Sequence, residues 1–107
     1  MNNDRESRRV LEHSVVAYVT PQCGFCARAL TLLLRHGVMA QVVDVSDKPA
    51  VRAWLREVSG ARTVPQIFIR GEVVGGYTEL LGLEVSGVLA SRLATIAVPS
   101  LRPAVGQ

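Results

Sequence analysis

Two cysteines, Cys23 and Cys26, are the only thiols in this 107-residue chain, and they stand three residues apart. They close the segment VVAYVTPQCGFC, residues 15–26, in which a run rich in β-branched residues ends at Pro21 and an apolar helical pattern follows. A strand of this kind delivers the pair to the start of a helix. There the unpaired N–H groups and the positive end of the helix dipole favour negative charge. A thiol held at such a helix mouth gives up its proton more readily, and the thiolate is the attacking species. Cys23 takes that place. Cys26 falls on the same side of the helix one turn deeper, where it can resolve a disulfide that Cys23 has formed.

The same spacing also supplies half of many zinc sites. Here no second cysteine pair exists, and His13 and His36 are scattered, one before the strand and one at the far end of the helix. A complete four-ligand zinc site within one chain is not expected, so no metal ligands are assigned. A structural disulfide across a single helical turn closes too short a loop to stabilise much. Thiolate redox chemistry is the reading that remains.

Nearly half of the residues are hydrophobic, and 107 residues suffice for one domain with its own core. The apolar runs fall short of the ~20 residues of a membrane-spanning helix. The first dozen residues, MNNDRESRRVLE, lack the apolar stretch of a secretory signal. A cytoplasmic, reducing setting is therefore expected, where a C-x-x-C pair is more often catalytic than structural. The net charge of +3 comes mostly from arginine, with Arg5, Arg8 and Arg9 clustered near the N-terminus. Aromatics are few and no basic stripe interleaves with them, so neither nucleic acid nor membrane is an expected partner.

The elements that must position the cysteines follow from periodicity. Residues 5–13 suggest a short leading helix anchored by Val10 and Leu11. Val15 to Val19 is the first strand. A helix runs from about Gly24 to His36, with Cys26, Leu30, Leu33 and Leu34 at helical spacing and Gly37 as its stop. Ala40 to Val45 reads as a second strand. Ser46-Asp47-Lys48-Pro49 reads as a capped helix start with an early proline. Val51, Trp54, Leu55 and Val58 form the core face of that helix, which ends at Gly60. Gln66 to Ile69 and Glu72 to Val74, joined at Arg70-Gly71, make a β-hairpin. Gly75-Gly76 breaks the second of these strands, and Thr78 is placed to cap a further helix. That helix carries Leu80, Leu81, Leu83, Val85, Val88, Leu89, Leu93 and Ile96, interrupted at Ser86-Gly87. The order β-α-β-α-β-β-α makes an α/β domain with a small mixed four-stranded sheet between helices. The first two strands flank a helix and should be parallel. A single domain over 1–107 is expected, its core about 14–97 and 98–107 a loose tail.

Three motifs now stand in order: Cys23-Gly24-Phe25-Cys26, Thr63-Val64-Pro65 and Gly75-Gly76-Tyr77-Thr78. In combination, over about residues 14–97, they resemble the glutaredoxin branch of the thioredoxin fold. The resemblance implies a cis Val64–Pro65 bond that presents the Val64 backbone to a peptide-like substrate. It implies glutathione as that substrate, with Phe25, Thr63, Val64 and Pro65 around the cysteines. The helix start at Gly76, Tyr77 and Thr78 suits the γ-glutamyl carboxylate, and Glu79 suits the ammonium. Arg52 and Arg62 match family positions near the glycine carboxylate, which an arginine can hold with two hydrogen bonds.

This chain departs from the family at two places. Thr20 stands where most members carry a lysine, so a positive charge beside the first cysteine is missing; Arg28 or Arg62 is the available substitute. Gly24 stands where common dithiol members carry proline, and Gly-Phe is the pair of the single-cysteine, iron–sulfur-handling class. The expected function is a glutathione-dependent thiol–disulfide oxidoreductase. It acts as a monomer on glutathionylated or disulfide-bonded proteins and needs no cofactor beyond glutathione. The alternative is a homodimeric carrier in which Cys23 and a bound glutathione from each chain hold a [2Fe–2S] cluster, a group that takes four thiolates. A thioredoxin-like donor fed by a reductase protein is a third reading, against which Gly75-Gly76 and the arginines stand.

Overall fold

Strand β1 (Val15–Val19) is buried along all five residues, and the other elements are arranged around it. The computed structural model describes residues 4–96. The helix α1 (Asp4–Glu12) precedes β1, and α2 (Gly24–Arg35), β2 (Gln41–Asp44) and α3 (Pro49–Ser59) follow. Then come β3 (Gln66–Ile69), β4 (Glu72–Gly75), α4 (Tyr77–Val85) and α5 (Val88–Leu93). The tail expected over 98–107 lies outside the described residues. Among those described, no helix is long and apolar enough to cross a membrane.

The four strands form one mixed sheet in the order β2-β1-β3-β4. β1 pairs parallel with β2, Val16 opposite Gln41, and antiparallel with β3, Val16 opposite Phe68. Because side chains alternate between faces, β1 serves two cores. Val15, Ala17 and Val19 pack with Ile67 and Ile69 against Cys26, Ala29, Leu32 and Leu33 of α2 and Leu80, Leu89 and Leu93 of α4 and α5. Val16 and Tyr18 pack on the opposite face with Phe68, Trp54, Leu55 and Val10. A strand covered on both faces is a continuous apolar run, which is what residues 15–19 are. The β3–β4 turn has positive φ at both Arg70 (51°) and Gly71 (81°), as a tight two-residue hairpin requires.

Several expectations are corrected. Leu11 is 76% exposed, and the second anchor of α1 is Glu6, one turn before Val10 and 4% exposed. Its carboxylate accepts the Tyr18 hydroxyl at 2.7 Å and Arg9 Nε at 3.0 Å, which makes burial of the charge tolerable. α3 is capped by Lys48 without a side-chain hydrogen bond. Ser46 and Asp47 form the turn instead: the Ser46 N–H bonds to Asp44 Oδ1 at 2.8 Å, and Asp47 is left-handed. Leu34, Val58, Leu81, Val85 and Val88 are exposed, because the sheet covers a narrower stripe of each helix than the apolar pattern spans. β4 extends one residue further, through Gly75, which pairs with Ile67 beside a register shift. The last helix is broken at Ser86-Gly87, as its glycine implied, with Gly87 at φ 82°.

Candidate active site

Cys23 is the N-cap of α2, in extended conformation, and its Sγ accepts the Cys26 backbone N–H at 3.1 Å. One of the helix's unpaired donors is thereby aimed at sulfur. The same sulfur lies 3.7 Å from the Val64 carbonyl, to which its thiol donates. Cys23 is partly exposed, whereas Cys26 is 3% exposed and packed in the core; both are free thiols. Burial, first, and then the hydrogen bond and charge of Cys23 push the Cys26 thiol up to about 12, against the lowering effect of a backbone hydrogen bond at Thr20. Cys26 is a proton-bearing thiol at neutral pH.

The loop between Gly60 and β3 faces Cys23. Gly60 ends α3 in the left-handed conformation and turns the chain back toward the sheet. Three successive carbonyls of this loop, at residues 62–64, receive side-chain donors, and Ser59 braces its start. Ser59 Oγ donates to Leu55 O at 2.7 Å and accepts the Ala61 N–H at 3.1 Å, and Arg52 Nη2 donates to Arg62 O at 3.3 Å. Gln66 Nε2 reaches Thr63 O at 2.9 Å, and the Cys23 thiol reaches Val64 O. The Val64–Pro65 peptide bond is cis, as the resemblance implied.

Against this loop stands the start of α4. Gly76 is its N-cap, and Glu79 reaches back so that its Oε1 accepts the Gly76 N–H at 2.8 Å, one half of a capping box. Thr78 therefore lies within the first turn and is not the cap. A Cβ on Gly76 would stand 3.4 Å from both Pro65 O and Glu79 Oε1. Gly75, at φ 115°, would bring one to 3.0 Å from Glu79 Cγ. Gly75, with its positive φ, lets the end of β4 turn tightly against Glu79, while at Gly76 a Cβ would meet Pro65 O only at ordinary contact distance.

Between them opens a cavity of about 330 Å³, lined by Phe25, Thr63, Val64, Pro65, Gly76, Tyr77, Thr78 and Glu79. Phe25, 57% exposed, stacks on Tyr77 at 5.8 Å between centroids, and the Arg28 guanidinium lies 5.4 Å over the Phe25 ring. Arg52 and Arg62 are outside this lining; the Arg52 guanidinium is drawn to the Arg62 carbonyl. Two features escaped the sequence reading. Gln66 looked like one more strand residue, although a lone polar side chain heading the apolar run Ile67-Phe68-Ile69 was a signal. The stacking of Phe25 on Tyr77 joins residues 52 positions apart, and no local pattern announces it.

The arrangement can do thiol–disulfide exchange: an accessible sulfur at a helix mouth, a buried partner thiol one turn below, and a groove with exposed backbone beside them. A family model described as Glutaredoxin matches residues 15–74. A glutaredoxin of Pseudomonas aeruginosa is 44% identical over 80 residues, covering 75% of this chain and 95% of that protein. Human glutaredoxin-1 is 33% identical over 88 residues, covering 77% of this chain and 83% of that one. Among solved structures, a buckwheat glutaredoxin–glutathione complex superposes with a TM-score of 0.82 at 28% identity over 86% of each chain.

Proposed function

The chain belongs to the glutaredoxin family, and we propose that within it this protein is a dithiol enzyme that reduces protein–glutathione mixed disulfides and protein disulfides, with glutathione as reductant. As a glutaredoxin it is a thiol oxidoreductase. The observation that carries the finer reading is the unequal placement of its two sulfurs, Cys23 partly exposed at the helix mouth and Cys26 buried with its thiol pushed up to about 12.

In the first step the Cys23 thiolate attacks the glutathione sulfur of a mixed disulfide. The S–S bond breaks, the protein sulfur leaves and takes up a proton, and Cys23 carries the glutathionyl group. A glutathione thiolate then attacks that glutathionyl sulfur, releasing oxidised glutathione and the Cys23 thiolate. With a protein disulfide, Cys23 forms the mixed disulfide and Cys26, having given up its proton, attacks the Cys23 sulfur. The reduced protein leaves, and two glutathiones reduce the resulting Cys23–Cys26 disulfide. Each exchange depends on the thiolate fraction of the attacker and on access to the attacked sulfur. Access distinguishes the two cysteines here.

The groove suits glutathione, which is a peptide with charged ends. Val64 offers backbone groups to the cysteinyl unit, and the first turn of α4 offers N–H groups to the γ-glutamyl carboxylate. Phe25, Thr63, Pro65, Tyr77 and Thr78 wall the ligand, and Glu79 presents a carboxylate to its ammonium. Arg52 and Arg62 are assigned to the glycine carboxylate, for which Arg52 would exchange its bond to Arg62 O for the ligand. A reducing compartment, the cytoplasm, and a monomeric state belong to the same proposal.

A shared [2Fe–2S] cluster fits this chain less well. Such a cluster would take Cys23 and one bound glutathione from each of two chains, and here the neighbouring Cys26, by forming a disulfide with Cys23, would withdraw that ligand. The proposal is tested by steady-state reduction of a glutathionylated peptide with glutathione as the sole reductant. Saturable turnover, lost in Cys23→Ser, is expected; no turnover with glutathione, but turnover with a thioredoxin reductase system, overturns the reading.

A further inference from the structure

We propose that Gln66 is a positioning residue of the ligand groove, acting through the Thr63 carbonyl to aim the Val64 N–H at the substrate. The inference rests on the glutathione reading above and assigns a part of that site to a residue outside its lining.

Gln66 opens β3 and is 1% exposed. Its Nε2 donates to Thr63 O at 2.9 Å, while its Oε1 is buried with no hydrogen-bond partner among the described residues. A carbonyl can pair only with the N–H end of an amide, so the orientation is fixed by Thr63. A buried acceptor left unpaired opposes stability. Its strand neighbours Ile67, Phe68 and Ile69 are apolar, and a methionine of the same length would fill the space without that cost. The amide is retained against the interest of the core, and what it holds is one oxygen.

That oxygen matters because of covalent geometry. The Thr63 carbonyl and the Val64 N–H belong to one rigid peptide plane, and in a trans peptide they point in opposite directions. The cis bond lies one residue later, at Val64–Pro65. Fixing Thr63 O on the buried side therefore turns the Val64 N–H toward the groove that Val64 lines. Of the three side-chain donors on these carbonyls, Gln66 makes the shortest bond and is the only fully buried one. Arg52 is exposed, and water can replace its bond; water has no access to that of Gln66.

The test compares wild type with Gln66→Met, which keeps length and removes the donor, and Gln66→Asn, which keeps an amide on a shorter stem. The substrate is a glutathionylated peptide with glutathione as reductant, and Cys23 alkylation by iodoacetamide reports the nucleophile without using the groove. Gln66→Met should raise KM roughly fivefold, the worth of about one hydrogen bond. Its kcat and alkylation rate should stay within about twofold, and its thermal midpoint should not fall. Gln66→Asn should give a KM between the two, and decides the matter alone if Gln66→Met does not fold. An unchanged KM in a folded variant overturns the inference, as does a KM rise matched by equal losses in kcat and alkylation. Wild type without turnover would strike the glutathione reading itself, a result distinct from either.

Discussion

The Cys23 sulfur accepts the backbone N–H of Cys26 at 3.1 Å, so the two residues are joined by a bond in which the second cysteine supports the first without exposing its own thiol. The helix start thus separates their roles. The backbone donor of Cys26 is aimed at the Cys23 sulfur, and the Cys26 side chain packs into the core with Ala29 and Leu33. Burial keeps the Cys26 thiol protonated at neutral pH.

This separation is visible in reactivity toward alkylating agents. At neutral pH, iodoacetamide should modify one thiol per native chain, and peptide mapping should place it at Cys23. Cys26 should react only after unfolding, or as pH approaches the value of about 12 to which its thiol is pushed. Equal modification of both cysteines in native protein at neutral pH would contradict the burial argument.

The same shift makes stability fall in alkali. Above the ordinary thiol value of 9.0 the unfolded chain releases the Cys26 proton, while the folded chain keeps it up to about 12. The folded state then binds more protons, so stability is fully present below pH 9 and is lost as pH rises to 12. The slope is at most about 1.4 kcal/mol per pH unit. Cys26→Ala should flatten the urea-denaturation profile over this window; an unaltered slope would show that the thiol is not the source.

Glu79 serves both the helix and the groove. Glu79→Ala removes the bond to the Gly76 N–H and should lower stability by about 1 kcal/mol, the usual worth of a cap. It should also raise KM for a glutathionylated peptide. Thr78→Val, away from the capping bond, should leave stability alone and weaken glutathione binding by roughly 1 kcal/mol, one neutral hydrogen bond. Calorimetric titration with glutathione on Cys23→Ser protein measures both, and identical affinity in all variants would remove the helix mouth from the site.

On the far face of the sheet, Tyr18 and Glu6 form a buried pair with no route to substrate. Burial, and then the hydrogen bond to Glu6, hold the Tyr18 hydroxyl above the ordinary tyrosine range. Glu6→Ala leaves that hydroxyl buried and unpaired and should cost about 1–3 kcal/mol. In a Tyr18→Phe background the same substitution should cost less, because contacting residues are not additive. Cys23 alkylation should be unaffected throughout. Additive losses would show that the bond contributes nothing.

Much of this was legible in the chain itself. Residues 15–26 combine an unbroken apolar strand, a proline and a cysteine pair, and each of these local preferences agrees with the fold. The hairpin was legible because Arg70-Gly71 stands between two strand-like runs, and the broken last helix because Ser86-Gly87 interrupts its apolar period. Glu6 was not legible, since a carboxylate on a charged helix looks solvated until Tyr18 is known to face it. Leu34, Val58 and Val85 were misplaced because helical periodicity gives a direction and not the width of the surface that covers it. The joining of Gly76, Phe25 and Pro65 into one groove depends on long-range packing, which only the family resemblance anticipated.

The central claim is that Cys23 takes a glutathionyl group from its substrate and Cys26 is dispensable for that step. The most direct measurement is intact mass after Cys26→Ser protein is mixed with a glutathionylated peptide, followed by peptide mapping. The account predicts one glutathionyl adduct per chain, located on Cys23, released by added glutathione at a rate that supports steady turnover. Cys23→Ser should form none. An adduct on Cys26 in Cys23→Ser protein, or no adduct on Cys23 while turnover continues, would contradict it.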